Sequence, residues 1–404
     1  MRGLCRTVLT ACTLAGMLVA TGCSSAESSG GAAGSIATMD PITIAVAEVV
    51  NERHSTGVAL KAFTDEVTAR TAGKVRFEIY WSGSLVPGTE ALDAVGGGLA
   101  QIGAVTPAYF PQDLPLSQWS SGLVGEISSA SPHGVLQGAP TVRELFAQPE
   151  LAAEFEDYGV HVLSASVTGP QAMLCSRPSL TPAQTAGLRV RTAGSIWNAE
   201  AEALGMTPVT LPPGEIFDAM QRGVIDCAVG ATAALTSYGL WEIADYYTPV
   251  GMTAAIRVTG VNRDVWNRLP EEAQKIMEDA VPTYLAEVAR AEFTGDQAMF
   301  APGGPAEGAT LQSPTELGAR VDGVQSDRVA AMAAGAADVP GATPDLVGRF
   351  TDSSARWLSL VTEDMGVAVP RLDSSDAIRQ SYLDAASTDF AQWAELLRTK
   401  SAQR

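Results

Sequence analysis

Apolar residues recur along this chain in two alternating rhythms. The run Ile42 to Val50 is nearly continuous, whereas from Ser55 to Arg70 apolar positions return every three or four residues, and Val75 to Trp81 is again a short dense run. A period of two or an unbroken apolar run predicts a strand, and a period near 3.6 predicts a helix. By the same pattern Val160 to Val167, Ala172 to Cys175, Leu188 to Arg191 and Met252 to Val261 are expected as strands, and Ser195 to Leu204 and Pro213 to Arg222 as helices. A long helix is expected from Glu271 to about Met299, kinked at Pro282, where a backbone donor is missing. Ala301 to Ser313 is rich in Gly and Pro and reads as a loop, and the remainder is helical with breaks near Pro340 and Pro370. Strands and helices in alternation predict an α/β fold.

One segment occurs twice. Glu90 to Gly103 returns 125 residues later, without a gap, as Glu215 to Ala228. Glu, Asp, Ala and Gly match at Glu90/Glu215, Asp93/Asp218, Ala94/Ala219 and Gly98/Gly223, while Leu92/Phe217, Val95/Met220 and Leu99/Val224 keep the apolar positions of a short helix that a glycine ends. Two lobes built alike are implied, with a cleft between them and the long helix spanning both. The expected division is 41–167 plus 256–295 for the first lobe, 168–255 plus 296–370 for the second, and 371–404 as a C-terminal helical segment.

Residues 1–22 have the form of an export signal: a basic start with Arg2 and Arg6, then an apolar stretch of about a dozen residues, well short of the roughly 20 a membrane span needs. Ala20-Thr21-Gly22-Cys23 looks like a bacterial lipobox, which would make Cys23 the lipidated first residue of a lipoprotein on the outer face of the cell membrane; an ordinary cleaved signal with an incidental cysteine is the competing reading. Residues 23–40, rich in Ser, Gly and Ala, read as a flexible tether.

The body of roughly 360 residues is long enough for two cores. A formal charge of −19 excludes nucleic acid as a natural partner, since phosphate backbones demand clustered Lys and Arg. Cys175 and Cys227 lie in short apolar segments of an exported chain, so a disulfide closing a 52-residue separation and a pair of buried free thiols are both open. His54, His133 and His161 have no metal-ligand spacing, and neither a nucleophile elbow, a phosphate-binding loop nor a dinucleotide fingerprint occurs. The acid pairs Glu271/Glu272 and Glu154/Asp157 read as solvated helix faces. No cofactor, metal or catalytic residue is expected.

One residue stands out chemically. Arg191 closes the strand segment of Gly187-Leu188-Arg189-Val190-Arg191-Thr192 just before a helix, and an arginine fixed at a strand end presents a planar fork that matches a carboxylate. Over roughly Pro41 to Met299 the chain resembles the DctP-type solute-binding proteins of tripartite ATP-independent periplasmic (TRAP) transporters. The resemblance is carried by Gly187 to Arg191, Ala203-Leu204-Gly205-Met206-Thr207-Pro208-Val209, Glu215 to Asp226 and Val265-Trp266-Asn267-Arg268-Leu269-Pro270, in that order. Ser82 to Leu85 and Thr106 to Tyr109 add to it in the first lobe.

The resemblance implies that Arg191 holds a ligand carboxylate. A second arginine common in the family falls here on Gln171, and a frequent asparagine on Gly230, so the second charged clamp is missing and Gln171 is left to donate a neutral hydrogen bond. Trp81, Tyr109 and Phe110 from the first lobe and Trp197 and Trp241 from the second are candidates to wall the cleft, against the competing reading of core packing; aromatic walls favour an apolar or aromatic acid. Thr106 is either a ligand donor or a helix N-cap, Ser55 is expected as an N-cap, and His54 as solvated. The implied function is an extracytoplasmic receptor that delivers a small organic carboxylate to TRAP permease subunits in the membrane. A sensing lipoprotein that presents its ligand to a membrane signalling partner is the alternative.

Overall fold

Residues 35–128 and 130–401 are described by a computed structural model. The predicted signal peptide and Cys23 lie outside these residues. The expected tether is shorter than its composition implies: Ile36 is buried in the first lobe's core, and its N–H donates to Glu272 Oε2 at 3.1 Å.

Eleven strands are described, β1 (Ile42–Ala47), β2 (Val75–Tyr80), β3 (Ile102–Val105), β4 (Val160–Val167), β5 (Gln171–Cys175), β6 (Arg189–Thr192), β7 (Thr207–Thr210), β8 (Cys227–Ala231), β9 (Tyr246–Met252), β10 (Ile256–Asn262) and β11 (Thr310–Leu311). They form two sheets, one per lobe, in the orders β2-β1-β3-β10-β4 and β7-β6-β8-β5-β9-β11. In the first, β1 runs parallel to β2 and β3 while β10 is antiparallel to β3 and β4. In the second, β6 runs parallel to β7 and β8 while β5 is antiparallel to β8 and β9. The two sheets share one plan, and the repeated segment leads into β3 in one and β8 in the other.

The chain changes sheet between β4 and β5, through residues 168–170, and between β9 and β10, through residues 253–255. This second crossing corrects the single strand expected from Met252 to Val261: apolar continuity hides a change of sheet that only pairing reveals. Leu99 and Val224 also differ from expectation. The repeat helices end at Gly96 and Gln221, and both residues lie beyond them, largely exposed. Gly98 and Gly223, just before them, adopt φ of +79° and +66°, the left-handed turn that ends each helix.

The helix Glu271–Phe300 spans both lobes, about 45 Å at 1.5 Å per residue, and runs through Pro282 unbroken. Met277, Tyr284 and Phe293 pack in the first lobe's core, Tyr284 edge-on to Phe63 at 6.1 Å, while Met299 and Phe300 pack with Tyr247 in the second. Downstream elements do not follow the expected division. The helix Thr315–Gly335 buries Leu317 and Val321 with the second lobe but Val329 and Met332 with the first. Pro344–Ser359, expected in the second lobe, packs on the first through Phe350 and Trp357. Of the C-terminal helices, Ser375–Ala385 sets Tyr382 on Phe300 at 4.5 Å, and Phe390–Lys400 buries Trp393 in the first lobe. The stretch expected as a loop after the long helix also contributes β11, an edge strand on β9.

Candidate functional site

Two arginines sit two residues apart on β6, and their surroundings separate them. Arg189 is spent on Asp226, with Nε and Nη2 3.0 and 3.1 Å from its two oxygens. Burial pushes the Asp226 carboxyl up, but Arg189, helped by Arg177 at 3.2 Å, outweighs it and holds the group below the usual carboxylate range. Arg191 is different. It is 7% exposed, its Nε donates to Leu211 O at 2.9 Å, and its buried Nη2 has no partner. Among the described residues no carboxylate pairs with it. One edge of the fork is anchored to the backbone and the other is open.

Arg191 faces a cavity of about 120 Å³ between the lobes. Thr106 and Tyr109 line it from the first lobe, and Gln171, Trp197 and Gly230 from the second. Trp197 is buried and held by its Nε1–H on Thr253 O at 2.6 Å, so it offers the cavity a ring face and no donor. Thr106 precedes the short helical turn Pro107–Tyr109, yet its side chain does not cap it. A Cβ on Gly230 would approach Leu235 to 3.2 Å, so Leu235 occupies the space an asparagine would need.

Three expectations are corrected. Trp81 packs against the first lobe's core, Phe110 is buried in another part of that lobe, and Trp241 packs on Tyr247 and Phe300, so none of them lines the cavity. Gln171 has no donor left for a ligand: its Nε2 gives both hydrogens to Thr168 Oγ1 and Gly169 O, at 2.7 and 2.8 Å. Its carbonyl oxygen is what remains. His54, not Ser55, caps the first helix, accepting from Thr56 N at Nδ1. Burial, with a smaller push from Arg257, lowers its pKa to about 4, so the ring lines the cavity as a neutral imidazole with its proton on Nε2.

Among the cavity residues the sequence reading missed are Arg257, Tyr238 and Glu292, and it missed Glu48, which reaches the site through Arg257. Arg257 on β10 is ion-paired with Glu48, whose other oxygen accepts from Val50 N at 3.0 Å. Burial alone would ease the proton off Arg257, but Glu48 and Tyr284 hold it charged. Its place follows from the repeat. Val258 of β10 lies opposite Val105, and Ala172 of β5 lies opposite Gly230. Val105 and Gly230 stand at the same place, two residues past the duplicated segment, so the next residues outward, Arg257 in the first lobe and Gln171 in the second, are counterparts. By the same register Ala47, opposite Gly103, is the counterpart of Arg191, opposite Ala228. Each lobe therefore brings one guanidinium to the cleft, from different strands.

Cys175 and Cys227 lie directly opposite each other in the β5 and β8 pairing and are joined. Among the described residues no helix is long and apolar enough to cross a membrane.

With this geometry, comparison with known proteins is informative. The model of the family described as DctP, bacterial extracellular solute-binding protein family 7, matches residues 46–298. Over 242 residues the chain is 25% identical to the monocarboxylate 2-oxoacid-binding periplasmic protein of Nostoc sp., covering 56% of this chain and 61% of that protein. It is 24% identical over 226 residues to the ectoine-binding periplasmic protein TeaA of Halomonas elongata, covering 55% and 63%. The match spans about three-fifths of the length of these curated relatives. Two solved structures share the fold at 19% identity. The extracytoplasmic solute receptor DctP7 of Bordetella pertussis, which binds pyroglutamic acid, has a TM-score of 0.61 and covers 78% of this chain and 99% of its own. A TRAP solute-binding protein of Rhodoferax ferrireducens, in complex with copurified benzoate, has a TM-score of 0.65 and covers 79% and 99%.

Proposed function

From the fact that this chain belongs to the bacterial extracellular solute-binding proteins of family 7, the DctP family, we propose that it is the extracytoplasmic receptor of a TRAP transporter, closing two lobes on a small organic monocarboxylate and passing it to membrane permease subunits. The open fork of Arg191 carries this reading. A buried guanidinium edge without a partner is costly unless a ligand supplies one, and a carboxylate does so with charge-assisted bonds.

The charge count narrows the class. Arg257 and Glu48 neutralise each other, so with Glu292 protonated Arg191 is the unmatched cation of the cavity, and one carboxylate balances it. Size narrows it further. A dry cavity of roughly 150 Å³ accepts benzene, so about 120 Å³ suits an acid with a single small ring or a short chain. The pyroglutamate, benzoate, ectoine and 2-oxoacids named for the relatives are of this kind. Closure works because the ligand touches both lobes: contacts made only in the closed form shift the equilibrium towards it. We also assign the chain to the outer face of the membrane, tethered by lipid on Cys23; a mature protein mass lacking a diacylglyceryl-cysteine N-terminus would remove the anchor from this account.

The test is a thermal-shift screen of small monocarboxylates on the full mature chain, since a ligand of the folded form raises its melting temperature. At least one should stabilise the wild type and lose tenfold or more in affinity with Arg191→Ala; unchanged affinity in the variant refutes the receptor site.

A further inference from the structure

Glu292 is the least expected group in the cleft. It lies on the lobe-spanning helix, is 5% exposed, lines the same cavity as Arg191, and has no hydrogen-bond partner among the described residues. It stands against the first lobe crossing: a Cβ on Gly169 would lie 1.9 Å from Glu292 Oε1, so a side chain there would push the carboxyl from its place. Beside it, Gln171 has turned both amide hydrogens to Thr168 and Gly169 and leaves its carbonyl oxygen to the cavity. Thr168 Oγ1 already accepts from Ala255 N at 3.0 Å and gives its own hydrogen to Gly169 O at 3.3 Å. With Glu292 ionised, the crossing side of the cavity therefore offers acceptors and no free donor, opposite in character to the Arg191 side.

We propose that the solute held in this cleft carries, besides the carboxylate gripped by Arg191, an N–H donor or protonated nitrogen, which Glu292 and the Gln171 carbonyl receive. This rests on the reading of the cleft as a carboxylate receptor and names the class of acid within it: a small amino, imino or lactam acid rather than a hydrocarbon acid. A nitrogen-free acid would leave two buried acceptors unmatched, and sites built to hydrogen-bond a group discriminate strongly against analogues lacking it.

The protonation of Glu292 gives the proposal a second handle. Burial raises its pKa to about 7, and burial together with Glu292 raises Asp296, one turn along the same helix, well above the carboxylate range. Around the cavity the other charged or titratable groups are His54, neutral above about pH 4, the Arg257 and Glu48 pair, Arg191, and Tyr109 and Tyr238. The empty cleft thus holds a protonated Glu292 below about pH 7. A nitrogen donor stabilises the ionised carboxylate, so its binding releases a proton near neutrality and weakens as pH falls through 7.

The experiment compares ring acids that differ at one atom by titration calorimetry on the full mature chain: proline against cyclopentanecarboxylate, piperidine-2-carboxylate against cyclohexanecarboxylate, and pyroglutamate against 3-oxocyclopentanecarboxylate. The nitrogen member of at least one pair should bind tenfold or more tighter at pH 7.5 and lose that advantage by pH 5.5. Glu292→Gln should bring the pair within threefold of each other, and Arg191→Ala should weaken both members alike. Equal binding within every pair, or a preference that survives Glu292→Gln, overturns the nitrogen subsite and leaves the carboxylate receptor standing. Binding of none of the six, while a nitrogen-free acid from the thermal-shift screen binds through Arg191, overturns this inference alone. Should Glu292→Gln fail to fold, proton release measured on the wild type in buffers of different ionisation enthalpy decides: no release with the nitrogen acids rejects the proposal.

Discussion

The two lobes are one plan finished in two ways. Their sheets repeat the same succession of two parallel and two antiparallel pairings, and their registers align residue by residue. Yet where the second lobe has Arg191, the first has Ala47, and where the first has Arg257, the second has Gln171. The first lobe's arginine is closed off by Glu48, so that wall is electrically complete before any ligand arrives. The second lobe's arginine is left half-satisfied. The two lobes share a scaffold, and the placement of acids decides which arginine is paired and which keeps an open edge. The proposal of a single carboxylate rests on there being one open cation rather than two.

The largest difference open to test is the disulfide. The counterparts of Cys175 and Cys227 are Val261 and Ile102, an apolar pair in the same cross-strand register, both buried. Transplanting the first lobe's pair by Cys175→Val with Cys227→Ile should cost about 4 kcal/mol, the chain-entropy value for a loop of this size. Urea denaturation reads the effect, and reductant should lower the wild type towards the variant. Equal midpoints without reductant would mean the second sheet gains nothing from its staple.

Next in size is the closed ion pair. Glu48→Ala leaves Arg257 buried and uncompensated, and breaking such a pair costs about 3 kcal/mol or more. The variant should also gain affinity for dicarboxylates relative to monocarboxylates of the same length, because a second guanidinium has been opened. Loss of stability without that shift in preference would confine Arg257 to a structural role.

Arg191 should behave in the opposite way. Arg191→Met loses the Nε bond to Leu211 O but also removes the unpartnered Nη2, so the unfolding free energy should stay within about 1 kcal/mol of wild type, while carboxylate binding falls by about 2 kcal/mol, the weight of one charged hydrogen bond. Folding and binding thus respond to different arginines. A large loss of stability in Arg191→Met would place it with Arg257 as a structural cation and erase the contrast between the lobes.

How much of this could be read along the chain follows from what each feature requires. The duplicated plan is legible because Glu90 to Gly103 and Glu215 to Ala228 keep their spacing, and Arg191 is conspicuous because it closes a strand segment just before a helix. The change of sheet at residues 253–255 is not legible, since Met252 to Val261 is apolar on both sides of it. Arg257 was hidden for the same reason: its equivalence to Gln171 exists only in the pairing of antiparallel strands. Glu292 has the period of an ordinary helix residue, and nothing local says that Gly169, more than a hundred positions away, leaves space for it. Gln171 was rightly noticed but read in the wrong sense, because which of its atoms faces the cavity is fixed by Thr168 and Gly169.

The smallest effect concerns a hydroxyl. Thr106 stands where the second lobe has Ala231, its partner 125 residues on, and it faces the cavity from across the cleft. Two roles for it predict different outcomes. As a helix cap, its loss would cost about 1 kcal/mol of folding stability; as a ligand donor, it would leave folding alone and cost binding about 0.5 to 1.5 kcal/mol, a neutral hydrogen bond. The side chain makes no capping bond to the turn that follows, and the cavity wall opposite it carries the fork of Arg191. Thr106→Ala, which copies the second lobe into the first, should therefore keep its melting temperature and bind a cognate acid a few-fold more weakly. The weakening should vanish in an Arg191→Met background if the hydroxyl and the guanidinium act on the same ligand, and a melting temperature that drops with no change in affinity would return Thr106 to the role of a cap.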